Sequence, residues 1–144
     1  MESVSRILSV GWRDADMNGH MRNSAFLDHV NDARMMFFAQ QGFTMAEFAR
    51  RRIGPVSFRD ELEYMRELKL FEEFRLHMEL VGASPDESRF KLRNTFARLD
   101  GAVCARVTSL GGWFDLHTRK LIVPPEALLA AIQAIPRASE FEVL

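Results

Sequence analysis

The sequence predicts an α+β domain in which one long central helix is wrapped by a curved antiparallel sheet of about five strands. Three observations predict it. A single long stretch with helical periodicity runs from Ser24 to about Gln41. Nearly every segment after Gly54-Pro55 alternates polar and apolar residues at the period of a strand. Turn signals, Gly82-Ala83-Ser84-Pro85-Asp86 and Asp100-Gly101, separate those segments as hairpins require. The 144 residues show no repeat, linker or low-complexity tract, so a single domain over 1–144 is expected. Roughly two-thirds of the unfolded surface is buried at this length, enough for a core without staples.

The elements follow in order. Residues 4–12, VSRILSVGW, read as a short strand. A polar loop leads to the long helix, where Phe26, Val30, Ala33 and Phe37 form one apolar stripe at four-, three- and four-residue spacing, flanked by Leu27, Arg34 and Phe38. Gly42 suits the position just past its end, since glycine alone enters the left-handed region without cost. Thr44-Met45-Ala46-Glu47 matches a capping box, giving a second helix over about 45–52. Gly54-Pro55 breaks it. Strands are expected over 56–68, 72–81, 89–99 and 102–114, and a short one near 121–123. Phe74, Leu76, Met78 and Leu80 share one face of the second of these. Gly111-Gly112 marks a bulge or a close approach. Pro124-Pro125 precedes a last helix near 126–134.

Composition excludes several classes. The sequence is 47% apolar and 27% charged, with a formal net charge of −1. That balance argues against a nucleic-acid binder, which shows a basic excess. No segment approaches ~20 continuous apolar residues, so no membrane span is expected. The N-terminal apolar stretch is too short for a signal peptide, which leaves a cytoplasmic protein as the expectation. One cysteine, Cys104, excludes an internal disulfide and a thiolate zinc cluster, and reads as a small buried hydrophobe in its strand. Asp16, His20, Asp28, His29 and Asp32 contain no His-x-x-x-His or Glu-x-x-His pair, so no metal site is expected. No Gly-x-Ser-x-Gly elbow or glycine-rich phosphate loop is present. His29, His77 and His117 have no motif around them and read as ordinary surface or strand positions.

The chemistry concentrates in Asp14-Ala15-Asp16-Met17-Asn18-Gly19-His20-Met21-Arg22-Asn23-Ser24-Ala25-Phe26. A helix start needs one capping residue, and this segment supplies several polar side chains. Asp16 sits just before the helix, whose first amides point outward with about half a positive charge. Such amides polarise a carbonyl oxygen and stabilise an oxyanion. A carboxylate beside them attacks the carbonyl carbon or activates a water. A thiol leaving group, with a pKa of about 8.5, departs as thiolate with little acid assistance. Thioester hydrolysis is the reaction class that fits so spare a site.

The same segment, followed by Asn31-Asp32-Ala33-Arg34, resembles the hotdog-fold acyl-CoA thioesterases of the 4-hydroxybenzoyl-CoA thioesterase type. Their pattern is roughly Asp-x-Asp-x-x-Gly-His-Val-Asn-Asn-x-x-Tyr with Ala-Arg following. Both aspartates, the Gly19-His20 pair and the second asparagine, Asn23, are kept. Glu63-Tyr64-Met65-Arg66-Glu67-Leu68 looks like the family's tyrosine–x–arginine strand segment, and the resemblance covers residues from about 4 to 130. It implies a hotdog fold and an acyl-CoA substrate cleaved to free acid and coenzyme A, with no cofactor and no metal. It implies that Asp16 is the catalytic nucleophile or general base and that the Asn23 backbone N–H faces the thioester oxygen, with His20 and Asn23 side chains shaping the loop. Gly19, Arg22, Phe26, Tyr64 and Arg66 are the implied substrate-binding residues. Arg22 replaces the usual first asparagine and Phe26 a common tyrosine. The resemblance further implies a homodimer, or a homotetramer, with sheets joined edge to edge and sites shared between chains. Arg66, Lys91, Arg93, Arg98, Arg106 and Arg119 are candidates for the phosphates of coenzyme A. Phe26, Phe37 and Phe38 are placed to line an acyl tunnel, beside the more ordinary role of core packing. An acyl-carrier-protein thioesterase and a non-catalytic acyl-CoA-binding module are the alternatives. A hotdog dehydratase is disfavoured, since its His-Phe-Pro loop is missing.

Overall fold

A computed structural model of the chain describes residues 4–144; residues 1–3, part of the expected domain span, lie outside the described residues. The elements are β1 (Ser5–Ser9), a 3-10 turn (Trp12–Asp14), α1 (Asn23–Gln40), α2 (Met45–Arg51), β2 (Ile53–Tyr64), β3 (Glu73–Ala83), β4 (Arg89–Arg98), β5 (Val103–Asp115), β6 (Lys120–Leu121), α3 (Glu126–Gln133) and β7 (Arg137–Val143). The strands form one sheet in the order β1-β3-β4-β5-β2, with β6 added to β5 and β7 to β3. Pairing is antiparallel except between β3 and β7.

The expected α+β architecture is present, and its differences from the sequence reading have local causes. The first strand ends at Ser9 and the chain tightens into the 3-10 turn, because the Asp14 carboxylate accepts from Gly11 N (2.9 Å). β2 begins at Ile53 rather than after Gly54-Pro55. It is an edge strand, and proline is tolerated on an edge because one row of amides needs no partner. β3 runs on through Gly82 and Ala83, past a register shift between Leu80 and Gly82. β7 has no counterpart in the sequence reading. It joins the β3 edge in parallel, with Leu80 opposite Arg137 and Ala83 opposite Val143. β1 occupies the same edge further back, from Glu73 to His77.

On α1 the buried residues are Ala25, Phe26, Val30, Arg34, Phe37 and Phe38. Ala33 is only half-buried, and Arg34 takes its place on the inner face. The sheet meets that face with Phe74, Leu76, Met78 and Leu80 of β3 and with Phe90, Leu92, Asn94 and Phe96 of β4. The apolar interior divides into two clusters. One holds Phe26, Val30, Phe74, Phe96, Cys104 and Val107. The other holds Phe37, Phe38, Phe48, Leu92, Trp113 and Leu128. Phe26, Phe37 and Phe38 are therefore core residues, and Cys104 is buried as expected.

Gly111 is the expected close approach. A Cβ there would lie 2.5 Å from Val56 O and 2.7 Å from Phe90 Cζ. The bulge lies across the ladder, between Ser57 and Arg59 of β2. A methyl group cannot fit against a main-chain oxygen without moving a strand, so Gly111→Ala is expected to lower the unfolding free energy by about 1–3 kcal/mol in urea titrations.

Candidate active site

The loop between the 3-10 turn and α1 is shaped by its own main chain. Asp16 N donates to His20 O (2.8 Å) and Gly19 N to Asp16 O (3.1 Å). Gly19 has φ +74°, the left-handed conformation that glycine enters freely. Met21 N donates to Leu68 O (2.8 Å), Arg22 N to Asp14 O (2.7 Å) and Leu70 N to Gly19 O (2.8 Å), which docks the loop on the segment after β2.

Within that loop the Asp16 carboxylate is held by one oxygen. Its Oδ1 accepts from Asn18 N (2.8 Å) and His20 N (3.2 Å). Its Oδ2 has no hydrogen bond among the described residues. Asn23 opens α1. The preceding cap residue is Arg22, whose side chain has no acceptor and makes no cap hydrogen bond. Ser24 N donates to Asn23 Oδ1 (2.8 Å) and Ala25 N to Arg22 O (3.0 Å). The Asn23 N–H is left without an acceptor among the described residues, at the positive end of an 18-residue helix.

An open cleft of about 350 Å³ brings most of the expected site residues together. Asp16, His20 and Asn23 line it from the loop and helix start, Phe26 from α1, and Tyr64 and Arg66 from the end of β2 and beyond. Tyr64 donates its hydroxyl to Asn23 O (3.2 Å) and packs edge-on against Phe26, with ring centroids 5.5 Å apart. Gly19 and Arg22 stand next to the cleft rather than in its lining. The Arg22 guanidinium is engaged, donating to Arg13 O (3.2 Å) and to Ser24 Oγ and lying 3.6 Å from Asp28. Among the basic residues considered for phosphate contacts, Lys91 pairs with Glu142 (3.0 Å), Arg93 with Glu79 (3.3 Å) and Arg98 with Glu72 (3.4 Å). Arg66, Arg106 and Arg119 have no carboxylate partner among the described residues. Of these three Arg66 lines the cleft, with Nη1 on Val103 O (2.9 Å).

The sequence reading missed Met21, Met65 and Glu67, which also line the cleft. Glu67 brings a second carboxylate, held below the ordinary carboxylate range by its own backbone amide and by nearby His20. Its position just past Tyr64 and Arg66 was the available signal. His29 is no surface residue. Half-buried, it sets its ring edge-on to Phe74 at 5.5 Å and its Nε2 2.9 Å from Asp14 Oδ2. This contact ties the turn before the loop to α1.

Asp14 titrates below the ordinary carboxylate range. Burial opposes its charge, but the hydrogen bonds from His29 and Gly11 N and the charges of His29 and Arg22 outweigh burial. A depressed folded-state pKa contributes stability above the unfolded value of 3.8 that is lost as pH falls through the folded value. Asp14→Asn is thus expected to lower Tm at pH 7, and the gap to the parent protein should close as thermal melts are taken to pH values below 3.8.

The sequence model of the thioesterase-like superfamily matches residues 10–132. No curated protein matches the chain. Solved structures share the fold at low identity. A Staphylococcus aureus protein in complex with CoA superimposes with a TM-score of 0.82 at 18% identity, covering 94% of this chain and 87% of its own. A 1,4-dihydroxy-2-naphthoyl-CoA thioesterase from Synechocystis gives 0.82 at 14% identity, covering 91% and 96%. A gentisyl-coenzyme A thioesterase gives 0.74 at 16% identity, covering 89% and 98%. With a match over most of its length and this fold around an aspartate and a helix N-terminus, the chain belongs to the thioesterase-like superfamily, as a thioester hydrolase of the hotdog fold.

Proposed function

We propose that the chain is an acyl-CoA thioesterase, converting acyl-CoA and water to a free acid and coenzyme A. The observation that carries this reading is the pairing of the unpartnered Asn23 N–H with the Asp16 carboxylate in one open cleft. The thioester oxygen accepts from the Asn23 N–H, where the helix dipole favours the negative charge that develops in the transition state. Asp16 keeps Oδ1 on the loop amides and turns its second oxygen to the chemistry. It attacks the carbonyl carbon or takes a proton from the attacking water. The carbon–sulfur bond then breaks, and the leaving thiolate needs no strong acid because its pKa is about 8.5. His20 donates its backbone N–H to Asp16, and so orients the carboxylate without itself reacting. Arg66 is the cation placed to meet the phosphates of coenzyme A at the cleft.

The working unit of this reading is a homodimer. β2 is a 12-residue strand at the end of the sheet, mostly exposed on both faces, with Phe58 and Tyr64 among its uncovered aromatics. A long bare edge of this kind pairs readily with another strand. A second copy, laid antiparallel across a two-fold axis, covers it.

Two measurements test this. Thiol release from a panel of acyl-CoAs should show turnover that Asp16→Asn lowers about 10²–10⁴-fold with Tm nearly unchanged; equal rates for the two proteins remove Asp16 from the chemistry. Sedimentation equilibrium should give twice the 16.6 kDa chain mass. A monomer would exclude the shared edge.

A further inference from the structure

Between the 3-10 turn and α1 the chain makes a tight hairpin whose base is Asp14 and Arg22. Arg22 N donates to Asp14 O (2.7 Å), Ala15 bridges to Met21, and Asp16 N donates to His20 O (2.8 Å). The two groups of the proposed chemistry belong to different parts. Asp16 lies inside the hairpin, and the Asn23 N–H belongs to the first residue of α1. The distance between them depends on how the hairpin is set on the helix. The bonds from Met21 N to Leu68 O and from Leu70 N to Gly19 O hold the hairpin to the segment after β2, not to α1.

His29 supplies the link to α1. It stands six residues beyond Asn23, about 9 Å along the helix axis, and helical side chains lean back toward the N-terminus. Its Nε2 lies 2.9 Å from Asp14 Oδ2, with the two side chains 19% and 17% exposed. Asp14 is ionised at neutral pH, and a carboxylate only accepts, so the imidazole nitrogen is the donor. Gly11 N donates to the same oxygen (2.9 Å) from the turn side. Phe74 of β3 holds the ring edge-on, with centroids 5.5 Å apart. Asp14 thus meets the helix twice, with its carbonyl oxygen on the residue before α1 and its carboxylate on His29. One point of attachment lets a hairpin rock, and two fix its angle. Arg22 also approaches α1, 3.6 Å from Asp28, but that pair is open to water, and such a pair constrains little.

We propose that His29 is a positioning residue for the thioester chemistry: through Asp14 it fixes the angle of the Asp14–Arg22 hairpin on α1, and with it the distance between the Asp16 carboxylate and the Asn23 N–H. The proposal rests on the acyl-CoA reading above. His29 touches no reacting atom in that reading and acts through Asp14. Its leverage is large, because a misplacement of about 1 Å between reacting groups can cost about 10²-fold in rate.

Two substitutions divide the side chain into its halves. His29→Phe keeps a ring against Phe74 and removes the donor. His29→Gln removes the ring and keeps an N–H at similar reach. Both are assayed well below their Tm. In acyl-CoA hydrolysis, His29→Phe should lower kcat about tenfold or more and change KM less than about threefold, and His29→Gln should return kcat to within about threefold of the parent. A packing role would reverse that order, because Phe preserves the contact that Gln loses. Amide hydrogen exchange followed by NMR reads the hairpin itself, measured against core amides of β4 and β5. The Arg22 and Asp16 amides should exchange about tenfold faster or more in His29→Phe and recover in His29→Gln. Parental kcat in His29→Phe, a loss confined to KM, a His29→Gln rate no better than that of His29→Phe, or unchanged amide protection each overturns the proposal. Should the parent hydrolyse no thioester, the thioesterase reading fails, and the exchange rates alone decide whether His29 clamps the hairpin.

Discussion

The guanidinium of Arg34 is the contact on which the rest of the molecule depends. It sits at the seam between the two apolar clusters. On α1 it lies between Val30 and Phe37, Asn94 lies between Leu92 and Phe96 on β4, and Ser109 lies between Val107 and Trp113 on β5. Apolar contacts alone would let a helix slide or turn on a sheet at modest cost, because they have no direction. Two hydrogen bonds from one planar fork fix α1 along its axis and about it, against two strands at once. A buried charge of this kind adds little net stability, since desolvation offsets most of what its partners return. Its contribution is to position.

Position is what the cleft requires. With α1 held at its middle, its first residue falls where the Asp16 loop can dock on the segment after β2. In the proposed mechanism the site is built mainly from backbone: Asn18 and His20 amides on Asp16, the free amide of Asn23, and a left-handed Gly19. Such a site constrains few side chains. It explains how Arg22 can stand at the helix cap, where a capping side chain would compete for the amides that the loop needs free.

Periodicity made the long helix and the hairpin strands legible, because each repeats one apolar face. It could not reveal β7, where Ala138 is buried, Phe141 is half-buried, and most of Arg137–Val143 stays exposed. It misplaced the start of β2, since Gly54-Pro55 signals a break unless the strand is known to be an edge. By spacing Arg34 flanks the stripe, and only Asn94 and Ser109, distant in sequence, account for a guanidinium on the inner face. The candidate site was legible where its residues are consecutive, from Asp14 to Phe26. His29 was missed because its partner, Asp14, is reached only once the loop folds back. The cavity of about 180 Å³ between Arg34, Phe38, Ser57, Leu92 and Trp113 was out of reach, because α1, β2, β4 and β5 each give it a fragment with no local pattern.

The two margins of the sheet are unequal. One is the single long strand β2. The other is patched from two pieces laid end to end on β3, the five residues of β1 and the seven of β7, the latter studded with Arg137, Glu140 and Glu142. A filament needs two compatible margins, so that each added subunit exposes a fresh one. In the proposed dimer, joining two copies would consume the single adhesive margin of each. Growth would then terminate after one step, sparing so long a bare strand the fibrous aggregation that such strands otherwise invite.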